Sequence, residues 1–122
     1  MQDVNHRHLA PAGRGFILVV DDDYDLNMNL CDILLSYDYD VQSAFNGQEA
    51  LDLMATSRPD VILSDISMPV MDGYELLEHT RADPKLRGLP FIFLTSHRER
   101  DNQRRALTIG IEDYLTKPVD TD

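Results

Sequence analysis

The sequence lacks most of what marks a secreted, membrane-spanning or nucleic-acid-binding chain. It has one cysteine in 122 residues, Cys31, so no intrachain disulfide can form and a reducing cytosol fits. No apolar run approaches the ~20 residues that cross a bilayer. The N-terminus has no apolar core of a signal peptide, and the reading is a cytoplasmic protein. Positive charge is scarce: 11 Lys and Arg stand against 22 Asp and Glu, a net charge of −11. Such a surface repels phosphate backbones and anionic lipid, which argues against direct nucleic-acid or membrane binding. There are no internal repeats, no low-complexity runs and no glycine-rich phosphate loop ending in Lys-Ser/Thr, so an NTPase is disfavoured.

What is present is a chain of one-domain length with ordinary proportions, 43% apolar and 27% charged. Residues 1–15 carry Pro11, Gly13 and Gly15 without apolar periodicity and read as a mobile leader. His6 and His8 are read there as tail residues rather than a metal site. From Phe16 a regular alternation begins. Phe16 to Val20 is a buried strand ending on Asp21-Asp22-Asp23. Leu26, Leu30, Ile33, Leu34 and Tyr37 then fall at helical spacing, predicting a helix from Tyr24 to about Tyr37. Asp40 to Ala44 is a second strand. Asn46, with Glu49 three residues on, opens a second helix with Ala50, Leu51 and Met54 facing inward and Pro59 beyond its end.

The most informative stretch follows. Asp60 to Ser64 reads as a third strand, an apolar run that stops at Asp65. A loop leads to Asp72 and Glu75, a capping box for a helix over about Gly73 to Ala82, halted before Pro84. Pro90 opens a fourth strand, Phe91 to Leu94, ending on Thr95-Ser96. A charged fourth helix is expected over about Arg98 to Ile109, with Gly110 as its stop. Glu112 to Thr116 is a fifth strand running into Lys117-Pro118. Strict β-α alternation specifies an α/β fold with a parallel sheet, right-handed crossovers and helices on both faces.

In such a sheet all strand carboxyl ends lie on one edge, where ligands bind. Four of the five strands here end in reactive groups: Asp21 and Asp22, Asp65, Thr95, and Lys117. Clustered carboxylates repel one another, and a hard divalent ion such as Mg²⁺ resolves the repulsion through carboxylates, waters and phosphate oxygens. Thr95 can donate a hydroxyl hydrogen bond to a phosphoryl oxygen, and Lys117 supplies a positive charge. Together these parts suit stabilisation of a transferring phosphoryl group. Asp65, central and backed by a strand, is the candidate nucleophile.

The pieces FILVVDDD, VILSDISMPVMDGYEL, PFIFLTS and EDYLTKP resemble, in order and spacing, the receiver domain of two-component response regulators, over about Phe16 to Val119. The chemotaxis member of that family has strand order 2-1-3-4-5, and the resemblance implies that order here. It implies that Asp65 takes a phosphoryl group from a histidine kinase or phosphotransfer protein. Asp22 and Asp65 would ligate Mg²⁺ with the backbone carbonyl of Ser67, and Asp21 would act mainly through water. Thr95 and Tyr114 would form a switch pair, and Lys117 would hold the phosphoryl group, with a cis peptide before Pro118. Ser67 and His97 occupy positions that tune self-dephosphorylation in that family.

Plainer readings stand beside these. Asp23 is read as a solvated acid or helix-start residue, Met68 and Met71 as loop fillers, and Cys31 as packing. Arg98, Arg100, Arg104 and Arg105 read as a solvated face, with a partner surface as the alternative. A phosphohydrolase with an aspartyl nucleophile is the enzyme rival, but Ser67 stands where the pattern of those enzymes has a second aspartate. A receiver-like module that signals without phosphorylation is the third reading. The resemblance implies five helices, and Val119 to Asp122 reads only as the start of the fifth. The expectation is therefore a receiver domain over residues 16–122, truncated before its last helix, whose output domain would follow or whose exposed strip a partner would cover. A homodimer through the fourth and fifth helices would lack its second element here.

Overall fold

A computed structural model describes residues 14–95 and 113–116. Within them the chain runs β1 (Phe16–Val20), α1 (Tyr24–Ser36), β2 (Asp40–Ala44), α2 (Gly47–Met54), β3 (Val61–Asp65), α3 (Gly73–Ala82), β4 (Phe91–Thr95) and β5 (Asp113–Thr116). The strands form one parallel sheet in the order β2-β1-β3-β4-β5, the doubly wound arrangement expected from the alternation. The expected fourth helix, Lys117-Pro118 and the start of a fifth helix lie outside the described residues.

The apolar runs lack alternation because both sheet faces are covered. Leu18, Val20, Ile62, Phe91 and Phe93 point to one side, where Ala50 and Met54 of α2 and Tyr74, Leu76 and Leu77 of α3 close over them. Ile17, Val19, Val41, Leu63 and Leu94 point to the other side, beneath Cys31 and partly buried Leu30 and Leu34 of α1. Burying side chains of this size stabilises the fold by about 1.5–3 kcal/mol each.

Each start of the described helices is fixed by a side-chain cap. Asp23 accepts from Leu26 N–H at 3.1 Å, and Asn46 accepts from Glu49 N–H at 2.8 Å. The Asp72–Glu75 pair closes reciprocally, at 2.8 and 3.0 Å, as its spacing predicts. Asp23 is thus a helix-start residue. Caps of this kind contribute about 1 kcal/mol each.

Three sequence expectations shift, the smallest being β4, which runs Phe91–Thr95 rather than 91–94. β3 runs Val61–Asp65 rather than 60–64, because Asp65 still pairs with Leu94 of β4. α1 is turned from the apparent stripe: Ile33 and Tyr37 are 52% and 59% exposed, and the buried positions are Asn27 and Cys31. A fully buried polar residue, Asn27, anchors this helix to the sheet alongside Cys31, Leu30 and Leu34.

Candidate functional site: an acidic pocket at the carboxyl edge of the sheet

β1 and β3 are neighbours, and both end at the same edge. β1 delivers Asp21 and Asp22 immediately after its last paired residue, Val20, and β3 delivers Asp65 as its own last residue. Asp21 and Asp65 are buried and Asp22 is exposed, and one carboxylate oxygen from each lies within 4.8 Å of the others. That set of hard oxygen donors around one small volume fits a divalent cation, whose remaining ligands would be waters or phosphate oxygens. Along the sequence, Asp21 and Asp22 have no nearby counter-charge, since no lysine or arginine stands between Gly15 and Arg58.

The acids of the β1–α1 junction are held by backbone and side-chain hydrogen bonds. Asp21 N–H donates to Ala44 C=O at 3.1 Å, continuing the β1–β2 ladder one step past its end. Asp23 N–H donates to Asp21 Oδ1 at 2.9 Å. Asn27, fully buried in the first turns of α1, donates its Nδ2 to Asp21 C=O at 3.0 Å and to Ala44 C=O at 2.9 Å. Its Oδ1 accepts from Cys31 Sγ at 3.5 Å. Burial, with Asp32 adding to it, pushes the Cys31 thiol up from 9.0 to about 11. Cys31 is therefore a buried, protonated packing residue, as its position on the first helix suggests.

The β3–α3 loop that follows Asp65 is built differently. Ser64 Oγ–H donates to Asp65 C=O at 2.8 Å, and Gly73 N–H donates to Ile66 C=O at 2.7 Å. A Cβ on Gly73 would collide with the Asp65 carbonyl and come within 2.9 Å of Ile66 Cα and the Phe93 ring, so only glycine lets α3 start so close behind Asp65. Met71 N–H donates to Pro69 C=O at 2.7 Å across Val70, whose φ is 72°. That is a γ-turn of the strained, positive-φ form, at a β-branched residue that is 80% exposed. Met68 and Met71 pack against the α2–α3 core, and Met71 fits against Gly47 so tightly that a Cβ there would meet it at 2.8 Å. Both methionines are gap fillers, as read from the sequence.

Of the residues singled out from the sequence, the structure brings Asp21, Asp22 and Asp65 together. Ser67 lies two residues past Asp65 in the loop and is exposed. Thr95 ends β4, one position past the Asp65–Leu94 pair, and it pairs with Thr116 of β5. Tyr114 lies in β5 opposite Phe93. Lys117 and His97 lie outside the described residues, as does the arginine cluster at 98–105. Sequence reasoning missed Asn27. Its only signal is a polar residue one helical turn before Cys31 and four residues after the Asp23 cap. It also missed Tyr24, whose ring stacks on Phe45 at 5.6 Å and joins the start of α1 to the β2–α2 loop beside the acids.

Comparison with known proteins agrees with this architecture. The family described as the response regulator receiver domain matches residues 17–122. A 14.6 kDa protein of Leptolyngbya boryana, itself uncharacterised, is 44% identical over 104 residues, covering 85% of this chain and 79% of that one. The response regulator PleD of Caulobacter vibrioides is 38% identical over 85% of this chain, but the match spans only 23% of PleD. Among solved structures, the receiver domain of a Pseudomonas aeruginosa sensor histidine kinase is 33% identical with a TM-score of 0.79. It covers 89% of this chain and 88% of that one, and it has a magnesium ion coordinated in its active-site cleft. Phosphorylation on an aspartate and Mg²⁺ binding are general features of the family, which works in two-component signalling with histidine kinases and output domains. The five-stranded order, the acidic pocket at its carboxyl edge and these likenesses converge: the chain belongs to the response-regulator receiver domain family.

Proposed function

We propose that Asp65 is the phosphoacceptor of this receiver domain, and that Asp21, Asp22 and Asp65, with the Ser67 backbone carbonyl, hold the Mg²⁺ ion. The observation that carries the reading is the convergence of the Asp21, Asp22 and Asp65 oxygens within 4.8 Å at the carboxyl edge of the sheet. The magnesium ion in the cleft of the Pseudomonas relative supports the choice of cation. When bound, the cation would neutralise charge that spreads over the phosphoryl oxygens.

The chain's own groups do the rest. An Asp65 carboxylate oxygen forms a bond to phosphorus as the P–N bond of a phosphohistidine donor breaks, and the departing imidazole takes a proton from solvent. β3 holds the Asp65 backbone through its pairing with Leu94, so the nucleophile stays in line with the incoming group. Thr95 receives the phosphoryl group by a hydroxyl hydrogen bond, Tyr114 responds as the second half of the switch, and Lys117 holds a phosphoryl oxygen. Phosphorylation favours a conformation the domain already samples. The protein modifies only itself and has no turnover on an external substrate. Its partners are a sensor histidine kinase or phosphotransfer protein and an output domain or effector, with a homodimer as one form of output. Of the leader expected over residues 1–15, residues 1–13 lie outside the described residues, while Arg14 N–H donates to Asp38 C=O and Gly15 C=O accepts from Asp40 N–H. A cytoplasmic location accords with the family, and no helix among the described residues is long and apolar enough to cross a membrane.

Incubation with acetyl phosphate, followed by intact-mass measurement with and without Mg²⁺, tests the reading. The expected result is one added phosphoryl group that requires Mg²⁺ and is absent from Asp65→Asn. Steady release of phosphate from small phosphoesters would instead favour a phosphohydrolase.

A further inference from the structure

The side chain of Asp22 is exposed, so packing does not aim it; its direction is inherited from the two peptide groups on either side. The peptide after Asp22 is held where Asp23 N–H donates to Asp21 Oδ1 at 2.9 Å. The peptide before it, carrying Asp21 C=O, is held by Asn27 Nδ2 at 3.0 Å. The same Nδ2 holds Ala44 C=O at 2.9 Å, so one amide ties the ends of β1 and β2 together behind the acids. Asn27 is itself fixed on all sides. Its N–H donates to Asp23 C=O at 2.9 Å, and its Oδ1 faces Cys31 Sγ at 3.5 Å. Two carbonyls on one side and a thiol on the other assign the amide orientation from the hydrogen-bond pattern. No apolar side chain can do this, and no charged one can do it while fully buried without a counter-charge.

We propose that Asn27 is a positioning residue for the cation site: its buried amide fixes the Asp21–Asp22 peptide and so aims the Asp22 carboxylate into the pocket. The inference rests on the reading of Asp21, Asp22 and Asp65 as the cation site. Mg²⁺ demands near-octahedral geometry at short distances, whereas Ca²⁺ accepts irregular shells. A misaimed Asp22 therefore weakens Mg²⁺ more than Ca²⁺, a difference that lost stability alone does not produce.

The test titrates ¹⁵N-labelled protein with Mg²⁺ and, separately, with Ca²⁺, following the amide signals of Asp21 to Asp23. Three proteins are compared: wild type, Asn27→Leu, and Val41→Ala. Val41 is buried on the same side of the sheet but pairs with Ile17, at the far end of the strands. Asn27→Leu is expected to bind Mg²⁺ at least about tenfold more weakly, as changes to groups that orient metal ligands do, with a smaller loss for Ca²⁺. Val41→Ala is expected to keep wild-type affinity for both. Wild-type Mg²⁺ affinity in Asn27→Leu, or an equal loss in Val41→Ala, overturns the inference. If Asn27→Leu does not fold, Asn27→Ser replaces it. Its hydroxyl can serve one of the two carbonyls with a water in the remaining space, so an intermediate Mg²⁺ affinity is expected and an unchanged one overturns the inference. Absence of Mg²⁺ binding in the wild type removes the cation-site reading itself, and the inference with it.

Discussion

The two loops that bring carboxylates to the pocket are built on opposite principles. The β1–α1 junction is short and polar: Asp21, Asp23, Asn27 and Ala44 exchange hydrogen bonds until few torsions are left open. The β3–α3 loop is longer and depends on close backbone approach at Gly73, a strained turn at Val70 and methionine packing. The first loop is fixed by what its side chains donate and accept. The second is fixed by what its residues lack or tolerate, a missing Cβ and an uncomfortable φ. Two carboxylates that repel a third need a firm mount. On the proposed assignment of Asp65 as phosphoacceptor, its loop must respond when the aspartate is modified, and a less relaxed shape suits that task.

Breaking the second loop at its closest approach has the largest expected effect. Gly73→Ala places a methyl group against the Asp65 carbonyl, Ile66 Cα and the Phe93 ring. Overpacking of this kind is expected to cost about 3 kcal/mol, read as a lower urea midpoint at unchanged slope. Next comes the polar junction. Asn27→Leu removes the amide that donates to the buried Asp21 and Ala44 carbonyls and is expected to cost about 2 kcal/mol in the same assay.

Val70 gives the opposite sign. If strain is stored there, Val70→Asn, which tolerates positive φ, is expected to raise stability by about 1 kcal/mol. Unchanged or lower stability would mean that the turn is not strained and that the two loops differ less than their geometry suggests. An effect absent at neutral pH concerns Cys31. Its thiol is raised in the folded state from 9.0 to about 11, so the folded protein holds a proton that the unfolded chain releases first. The stabilisation is fully present below pH 9 and is lost as pH rises toward 11. Subtracting the pH–stability curve of Cys31→Ala from that of the wild type is expected to leave a slope confined to this window.

These regions also differ in how far the sequence reveals them. Strand positions, the Asp72–Glu75 and Asn46–Glu49 caps and the convergence of Asp21, Asp22 and Asp65 follow from local signals: unbroken apolar runs, fixed spacings and carboxylates at strand ends. Residue types alone place β3 one residue early because a carboxylate looks like the end of a buried run, yet backbone pairing with Leu94 does not depend on side-chain polarity. Asn27 is illegible for a deeper reason. A polar residue on a helix is ordinarily assigned to water, and the carbonyls it serves belong to the ends of β1 and β2, which come together only once the sheet has formed. Ile33 and Tyr37 mislead in the same way, because apolar spacing identifies a helix without saying which face the sheet will cover.

The most direct test locates the phosphoryl group itself. After incubation with acetyl phosphate and Mg²⁺, borohydride reduction converts an acyl-phosphate aspartate to homoserine, and peptide mass mapping identifies the residue changed. Homoserine is expected at position 65, with Asp21 and Asp22 intact. Homoserine at 21 or 22, with Asp65 intact, would contradict the assignment of Asp65 as phosphoacceptor.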